Sequence, residues 1–444
     1  MELVTIITEL LEQKKYASLR DILTEMHPAD VATMFDELEK RQISLLFRLL
    51  PKELAAETFV ELDPDNQEAL IKAFSDNELK EVLDEMYLDD AVDLVEEMPA
   101  NVVRRILQNT DEETRKMINE VLKYPKDSAG SMMTIEYVQL KESMTVADSF
   151  QTIRRTGIDK ETIYSCYVTD QNRHLKGIVT AKGLLLSDSE MLIGDIMDED
   201  VISVFTTDDK EEVVQKFQLY NLIAMPVVDK ENRLVGIITV DDAIDVIEQE
   251  ATEDIETMAA ITPTDKPYLK TGVFETWWKR IPWLLLLMVS ATFTSVIINS
   301  YDAALATLGL AAFMPMIMGT GGNAGSQSSV TIIRGLSIGE IEMGDIIRII
   351  WKELRVSLLC GITMAIATFG KIMLIEQPGF MTAVVVSLTL VATIVTAKLV
   401  GCVLPVLAKR VGFDPAVMAS PFITTIVDAL SLVIYFRIAT MILM

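Results

Sequence analysis

Histidine and cysteine are nearly missing from this 444-residue chain, which has two histidines, His27 and His174, and three cysteines, Cys166, Cys360 and Cys402. No CxxC pair occurs, and neither histidine sits beside a plausible nucleophile or a second metal ligand. Zinc ribbons, disulfide frameworks and histidine- or cysteine-based catalysis are thereby excluded, so no enzyme is expected and a reducing compartment fits. The phosphate-cradling pattern GxxxxGK[ST] is absent, as is DKTG, which removes coupling to nucleotide hydrolysis. Positive charge is scarce as well: the net charge is −27, and a basic surface for nucleic acid is lacking. The opening MELVTIITELLEQKK has an acid at position 2 and a glutamate inside its apolar run, unlike a secretory signal peptide, so the first 270 residues are expected in the cytosol.

What is present divides unevenly. Residues 1–270 hold 28 Lys/Arg against 57 Asp/Glu, whereas 271–444 hold 11 against 9. A field this negative attracts cations, and divalent metal is the natural guess; plain solvation of a soluble region is the other reading.

From Pro282 the text becomes apolar. PWLLLLMVSATFTSVIINS (282–300) is long enough to cross a hydrocarbon core of ~30 Å. Further stretches at 302–325, 354–375, 380–408 and 416–441 bring the expected number of spans to five. Basic residues cluster in alternate loops (Lys279 and Arg280; Arg334, Arg348, Lys352 and Arg355; Lys409 and Arg410), which places the N-terminus inside and the C-terminus outside a cell membrane. Asp428 falls near the middle of the fifth stretch, where a carboxylate is costly unless it faces a cavity, an ion or a partner. An ion contact and a salt bridge to Lys398 are the two readings. Ser420, Thr424 and Thr425 add hydroxyl oxygens on nearby turns of the same helix. The second stretch carries MPMIMGTGGNAGSQSS, in which Gly319, Gly321, Gly322 and Gly325 surround Asn323. Such a segment is either a pore wall or a tight helix-packing seam.

The soluble part shows two repeats. Pro28, Pro64 and Pro99 stand 36 and 35 residues apart at the openings of short amphipathic helices, the pattern of stacked helical hairpins forming a superhelix. Asp170, Leu175, Gly177, Ile178 and Thr180 recur as Asp229, Leu234, Gly236, Ile237 and Thr239, always 59 residues on. The two copies, YVTDQNRHLKGIVT and VVDKENRLVGIIT, resemble tandem CBS domains, an α/β module whose clefts often hold adenine nucleotides, so ATP is a candidate ligand there. An acidic helical text, VDDAIDVIEQEATEDIETM, then leads to the first span.

The order of these parts, with YPKDSAGSMMT (124–134), GGNAGSQSS (321–329), RGLSIGEI (334–341) and DPAVMASPFITTIVDAL (414–430), resembles the MgtE magnesium transporter family. The resemblance implies an acidic helical N domain (1–128), tandem CBS domains (129–247), a connecting plug helix (248–273) and a transmembrane domain of five helices (274–444). It implies a homodimer with the ion path between subunits and Asp428 as the central cation site, lined by Ser420, Thr424, Thr425 and Asn323. Magnesium keeps several waters and binds through one or two carboxylates, so two facing aspartates suit a largely hydrated ion. Inward movement needs no ATP, since a divalent ion gains ~4.6 kcal/mol per 100 mV of inside-negative potential. Gating by cytosolic magnesium is also implied, with Asp89, Asp93, Glu211, Asp242, Asp245, Glu250, Glu253 and Asp254 as regulatory ligands. Two other readings stay open: a proton- or sodium-coupled exchanger for magnesium, cobalt or manganese, and a membrane-anchored metal or nucleotide sensor.

Overall fold

Short helices need a proline or a capping side chain at nearly every start, and the N-terminal region shows how this chain supplies them. The computed structural model describes residues 2–264, 268–269, 271–301, 310–376 and 379–443, without the side chains of Glu2, Asp159, Glu376 and Ser420. It divides into two compact units, Met1–Val246 and Ile247–Met444.

In the first unit, ten short helices run from Glu2–Glu12 to Glu112–Val121. Pro28 and Pro64 occupy the first turn, where a missing N–H costs nothing, while Pro51 and Pro99 stand one residue earlier as N-caps. Most of these helices pack on the one two places along, as Pro28–Asp36 on Lys52–Val60, Lys40–Phe47 on Pro64–Ala73, and Leu88–Glu97 on Glu112–Val121, while Glu2–Glu12 packs on Tyr16–Thr24. This is the stacking that the proline spacing predicts. Phe47, Phe59 and Phe74 meet in the core with ring centroids 5.2–6.3 Å apart. Two guanidinium groups close the end of helix Pro64–Ala73: Arg105 donates to the Phe74 carbonyl at 2.6 Å and Arg48 to the Ala73 carbonyl at 3.0 Å, complementing its dipole.

The 59-residue repeat folds as two three-stranded sheets. Strands β1 (Tyr137–Leu140), β2 (Thr162–Thr169) and β3 (Leu175–Thr180) form one, and β4 (Val204–Phe205), β5 (Ala224–Val228) and β6 (Leu234–Thr239) the other. In each, the first two strands are parallel, joined through a helix (Val146–Thr156 or Lys210–Tyr220), and the last two form an antiparallel hairpin. The copies exchange edges. Thr134 pairs with Ile237 on β6 through two 2.8 Å hydrogen bonds, and Asp198 pairs with Ile178 on β3 through two of 2.9 Å. Glycine is required at both crossings: a Cβ on Gly177 would stand 2.9 Å from the Asp198 carbonyl, and one on Gly236 2.7 Å from the Thr134 carbonyl.

Helix Val240–Met258 follows. In the second unit, four helical segments among the described residues are long and apolar enough to cross a membrane: Val273–Ser300, Met343–Ile375, Phe380–Val411 and Pro415–Leu443. Of the expected second span, 302–325, residues 302–309 lie outside the described residues, and the remainder overlaps helix Met314–Ser337, 24 residues long. That length suffices for ~30 Å of hydrocarbon, but its glycines, serines and threonines keep it from qualifying on apolarity, so four spans qualify among the described residues where five were expected. It packs against Phe380–Val411 and Ser420–Leu443, which brings the glycine-rich segment to the centre of the unit.

Replacing Gly177 or Gly236 with alanine is expected to destabilise the sheet pair by about 1–3 kcal/mol through overpacking. Hydrogen exchange should then quicken at Thr134 and Ile237 for Gly236→Ala, and at Ile178 and Asp198 for Gly177→Ala.

Candidate functional site

Two groups of carboxylates stand out, one in each unit. The first centres on helix Leu88–Glu97, whose opening LDDAVD puts Asp89 and Asp93 one turn apart with Asp90 between them. Asp89 is 9 % exposed, Asp90 is half-buried and Asp93 is exposed. The second CBS copy brings Asp241 and Asp242 into the same electrostatic neighbourhood from the start of helix Val240–Met258, and the first copy brings Glu136 and Glu161. Burial, with the Asp242 charge second, raises the Asp89 carboxyl well above its usual range and lifts Asp90 to about 7; crowding by the surrounding protein and then the Asp242 charge raise the more exposed Asp93 as well. Burial likewise lifts Glu161 to about 8, with Asp241 next in effect, and Asp242 to about 6 against a hydrogen bond from Thr239. No cation is among the leading influences on any of them.

The donor chemistry suits a hard divalent cation. No three His, Cys, Asp or Glu side chains among the described residues converge closely enough to form a ready-made ligand set.

The structure therefore brings together Asp89, Asp93, Asp242 and Asp245, the last acting on Asp242. Glu211 opens helix Lys210–Tyr220, its backbone N–H donating to the side chain of the N-cap Asp209 at 2.9 Å. Glu253 and Glu250 lie further along helix Val240–Met258, and Glu250 acts on Asp254. Asp254 accepts a 3.0 Å hydrogen bond from Ser337, at the end of the glycine-rich helix. Burial raises its carboxyl, Asp414 adds to the effect and Arg334 opposes it. Asp90 and Glu161 are additions; the LDD triplet could have signalled Asp90, whereas nothing local marks Glu161.

The second group lies in the second unit. Helix Ser420–Leu443 turns Ile423, Val427 and Ser431 toward Gly321 and Gly325: a Cβ on Gly321 would stand 2.9 Å from Ser431 Oγ and 3.0 Å from Val427, and one on Gly325 2.9 Å from Ile423. The glycines are thus a packing seam. Asp428, about 100° round the helix from Val427, is half-buried, and no hydrogen bond or ion pair among the described residues engages its carboxylate. Thr424 lies against Gly322, and Thr425 donates to the Pro421 carbonyl at 3.0 Å. Asn323, next to that seam, is exposed together with Gly319 and Gln327. Ser420 begins the helix, with its side chain outside the described residues. The alternative partner for Asp428 is engaged elsewhere: Lys398 pairs with Glu353 at 3.7 Å.

Three matches to known families cover most of the chain: the MgtE intracellular N domain over residues 26–127, two CBS domains over 129–189 and 193–249, and the divalent cation transporter model MgtE over 314–438. The magnesium transporter MgtE of Thermus thermophilus is 37% identical over 447 residues, covering 100% of this chain and 99% of that protein. The chain belongs to the MgtE family. The magnesium transporter MgtE of Bacillus subtilis is 33% identical across 99% of this chain and 97% of its own. A crystal structure of the cytosolic domain of the Mg2+ channel MgtE in complex with ATP aligns with a TM-score of 0.52 and 37% identity over 55% of this chain and 99% of that one. As a member of a transporter family with several candidate spans, the chain is a multi-pass membrane protein and not an enzyme.

Carboxyls that hold their protons to pH 6–8 in the fold but ionise near ~4 when unfolded bind more protons folded than unfolded across that window, so stability falls as pH rises through it. Thermal unfolding of the full chain in chelator should give a higher midpoint at pH 6 than at pH 8. Asp90→Asn with Asp93→Asn should flatten that dependence, and magnesium should narrow it.

Proposed function

We propose that this protein is a magnesium-selective channel that passes Mg2+ inward down its electrochemical gradient and closes when cytosolic Mg2+ occupies its acidic clusters. Full-length similarity to magnesium transporters supports the substrate. The observation that carries the permeation reading is Asp428: a carboxylate within a span, with no ion pair or hydrogen bond among the described residues, on the same helix as Thr424 and Thr425. An unpaired carboxylate at such depth is stable only if water or an ion reaches it.

Two subunits joined around the face bearing Asn323 would cover polar groups that lipid cannot solvate and would bring two Asp428 carboxylates to one axis. Two such groups can hold a hydrated Mg2+ through its waters, favouring it over ions of another hydration size; the same site would admit Co2+ or Mn2+ less well. Entry from outside follows from the basic loops, which assign the N-terminal region to the cytosol.

Closure follows from the acidic clusters. Without metal, Asp89, Asp90, Asp93 and Asp242 repel one another, and the Asp254 carboxyl near Ser337 is disfavoured as an anion. Bound magnesium lowers that repulsion and favours the compact arrangement, so rising cytosolic magnesium shifts the population toward a closed state. Asp245, Glu250 and Glu253 lie along the same helix as further donors, with Glu211 on the second CBS copy. ATP at the CBS pair is a second regulatory ligand in this reading, supported by the neighbouring structure that contains it.

Magnesium flux into proteoliposomes under a set potential, with no proton or sodium gradient, tests permeation. Wild type should pass Mg2+ in proportion to voltage, and Asp428→Ala and Asp428→Asn should lose at least ~10-fold, equivalent to ~1.4 kcal/mol. Flux that requires an imposed proton or sodium gradient would overturn the channel in favour of an exchanger. Separately, Asp89→Asn with Asp93→Asn and Asp242→Asn should raise the magnesium concentration needed for half-closure; an unchanged value would remove these residues from gating.

A further inference from the structure

Lys398 is buried at 5 % exposure, 13 residues before the end of helix Phe380–Val411. At ~1.5 Å per residue its ammonium is too far from the helix end to snorkel into the interface. It finds its partners inside the protein instead. The ammonium lies 3.7 Å from Glu353 Oε2, on helix Ile346–Lys371, and donates to Ser328 Oγ at 3.2 Å, on helix Met314–Ser337. Ser328 in turn donates to Glu353 Oε2 at 2.7 Å. One hydroxyl thus accepts from the cation and donates to the anion, and three helices are joined by a single relay.

The same level of helix Met314–Ser337 is held on two more sides. Ser329 donates to the Met418 carbonyl at 3.2 Å, and the Gly325 carbonyl presses on Gly401, where any side chain would collide. Ser328 and Asn323 are five residues apart, which at ~100° per residue leaves them ~140° apart around the axis. The gripped side therefore faces away from the uncovered side, where Gly319, Asn323 and Gln327 are exposed at four-residue spacing. Any rotation of the helix that the relay permitted would swing those groups by the same angle. An apolar contact would tolerate such rotation, whereas an ion pair bridged by a serine has one geometry in which all three polar groups are satisfied.

We propose that Lys398 is a positioning residue: through Glu353 and Ser328 it fixes the rotation of helix Met314–Ser337 and so aims Asn323 at the ion path. The ion-path part rests on the channel reading above; the rotational part does not.

Labelling of Asn323→Cys by a charged, water-soluble thiol reagent, in a Cys360→Ser background of the full-length protein in liposomes, reads that rotation without any need for flux. Cys166 and Cys402 are buried and should react slowly. Lys398→Met is expected to change the labelling rate at least ~5-fold, the factor that a coupling of ~1 kcal/mol corresponds to. Exchanging the charges, Lys398→Glu with Glu353→Lys, should return it toward the parental rate. Should Lys398→Met fail to fold, Lys398→Met with Glu353→Met removes both charges at once and should show the same change. In parallel, the Mg2+ to Co2+ flux ratio should shift in Lys398→Met and recover in the exchange. A lowered melting temperature with parental labelling rate and flux ratio would reduce the relay to packing and overturn the proposal. Absence of flux in wild type would refute the channel reading while the labelling rates still decided the rotation.

Discussion

A carboxylate withdrawn from bulk water must find a counter-charge, take up a proton or hold an ion, and this chain uses all three solutions. Glu353 is given a lysine and a serine, and the result is a fixed joint between helices. Asp89, Asp90 and Asp242 have no cation among their leading influences, and burial drives them toward the protonated form. Asp428 has neither an ion-pair or hydrogen-bond partner among the described residues nor full burial. The distinction separates structure from response: a compensated charge holds its place whatever the surroundings, whereas an uncompensated one makes the arrangement around it depend on protons and metal. Natural domains avoid unpaired buried acids, so a cluster of them is a cost that something outside the chain must offset.

The CBS pair supplies the rigidity that makes such a cluster usable. Each copy lends the other an edge residue, Thr134 to β6 and Asp198 to β3, so the sheets cannot shift independently. Asp241 and Asp242 leave the end of β6 directly into helix Val240–Met258 and are therefore set by that exchange. The glycines at the crossings are the condition for it. A movable acidic group would relieve repulsion by drifting into solvent; one fixed to a sheet cannot, and its repulsion becomes available as a signal.

Much of this was legible in the sequence, for reasons that differ by element. The CBS copies declared themselves because the hairpin, its turn and the following threonine all recur at one offset, and the proline spacing pointed to stacked helical hairpins. Asp428 was visible because charge in an apolar run is conspicuous. Glu353 was not, because in sequence it stands among Lys352, Arg355 and Arg348 and reads as part of a basic loop; only the packing of three helices reveals that it is inside. Lys398 was legible only as the alternative partner for Asp428, since its actual partner, Glu353, was hidden for the same reason. The apolar stretch ends at residue 325 while helix Met314–Ser337 runs past it, because glycine, serine and threonine carry little hydropathy signal. Helix Glu112–Val121 has a clear local cap in Asp111, whereas the closing of helix Pro64–Ala73 by Arg105 spans more than thirty residues and has no local mark.

The polar helix Met314–Ser337 poses the sharpest constraint on how such a chain can live in a bilayer. One side is filled by glycine contacts and by the Lys398 relay, and these are satisfied within the chain. The other shows an amide at Asn323 and another at Gln327 with nothing over them. Hydrocarbon cannot take that face without leaving several hydrogen-bonding groups unmet, each at a cost of several kcal/mol by the usual accounting. Water or another protein surface must therefore cover it. If water alone did so, a cavity open to lipid would have to persist beside the helix; if a second copy did, the amides and Asp428 would meet their symmetry mates and water would be confined between them. In the channel reading proposed above, the second solution would remove the exposed polar face and create a hydrated path by the same step, which is why a helix this polar supports that reading.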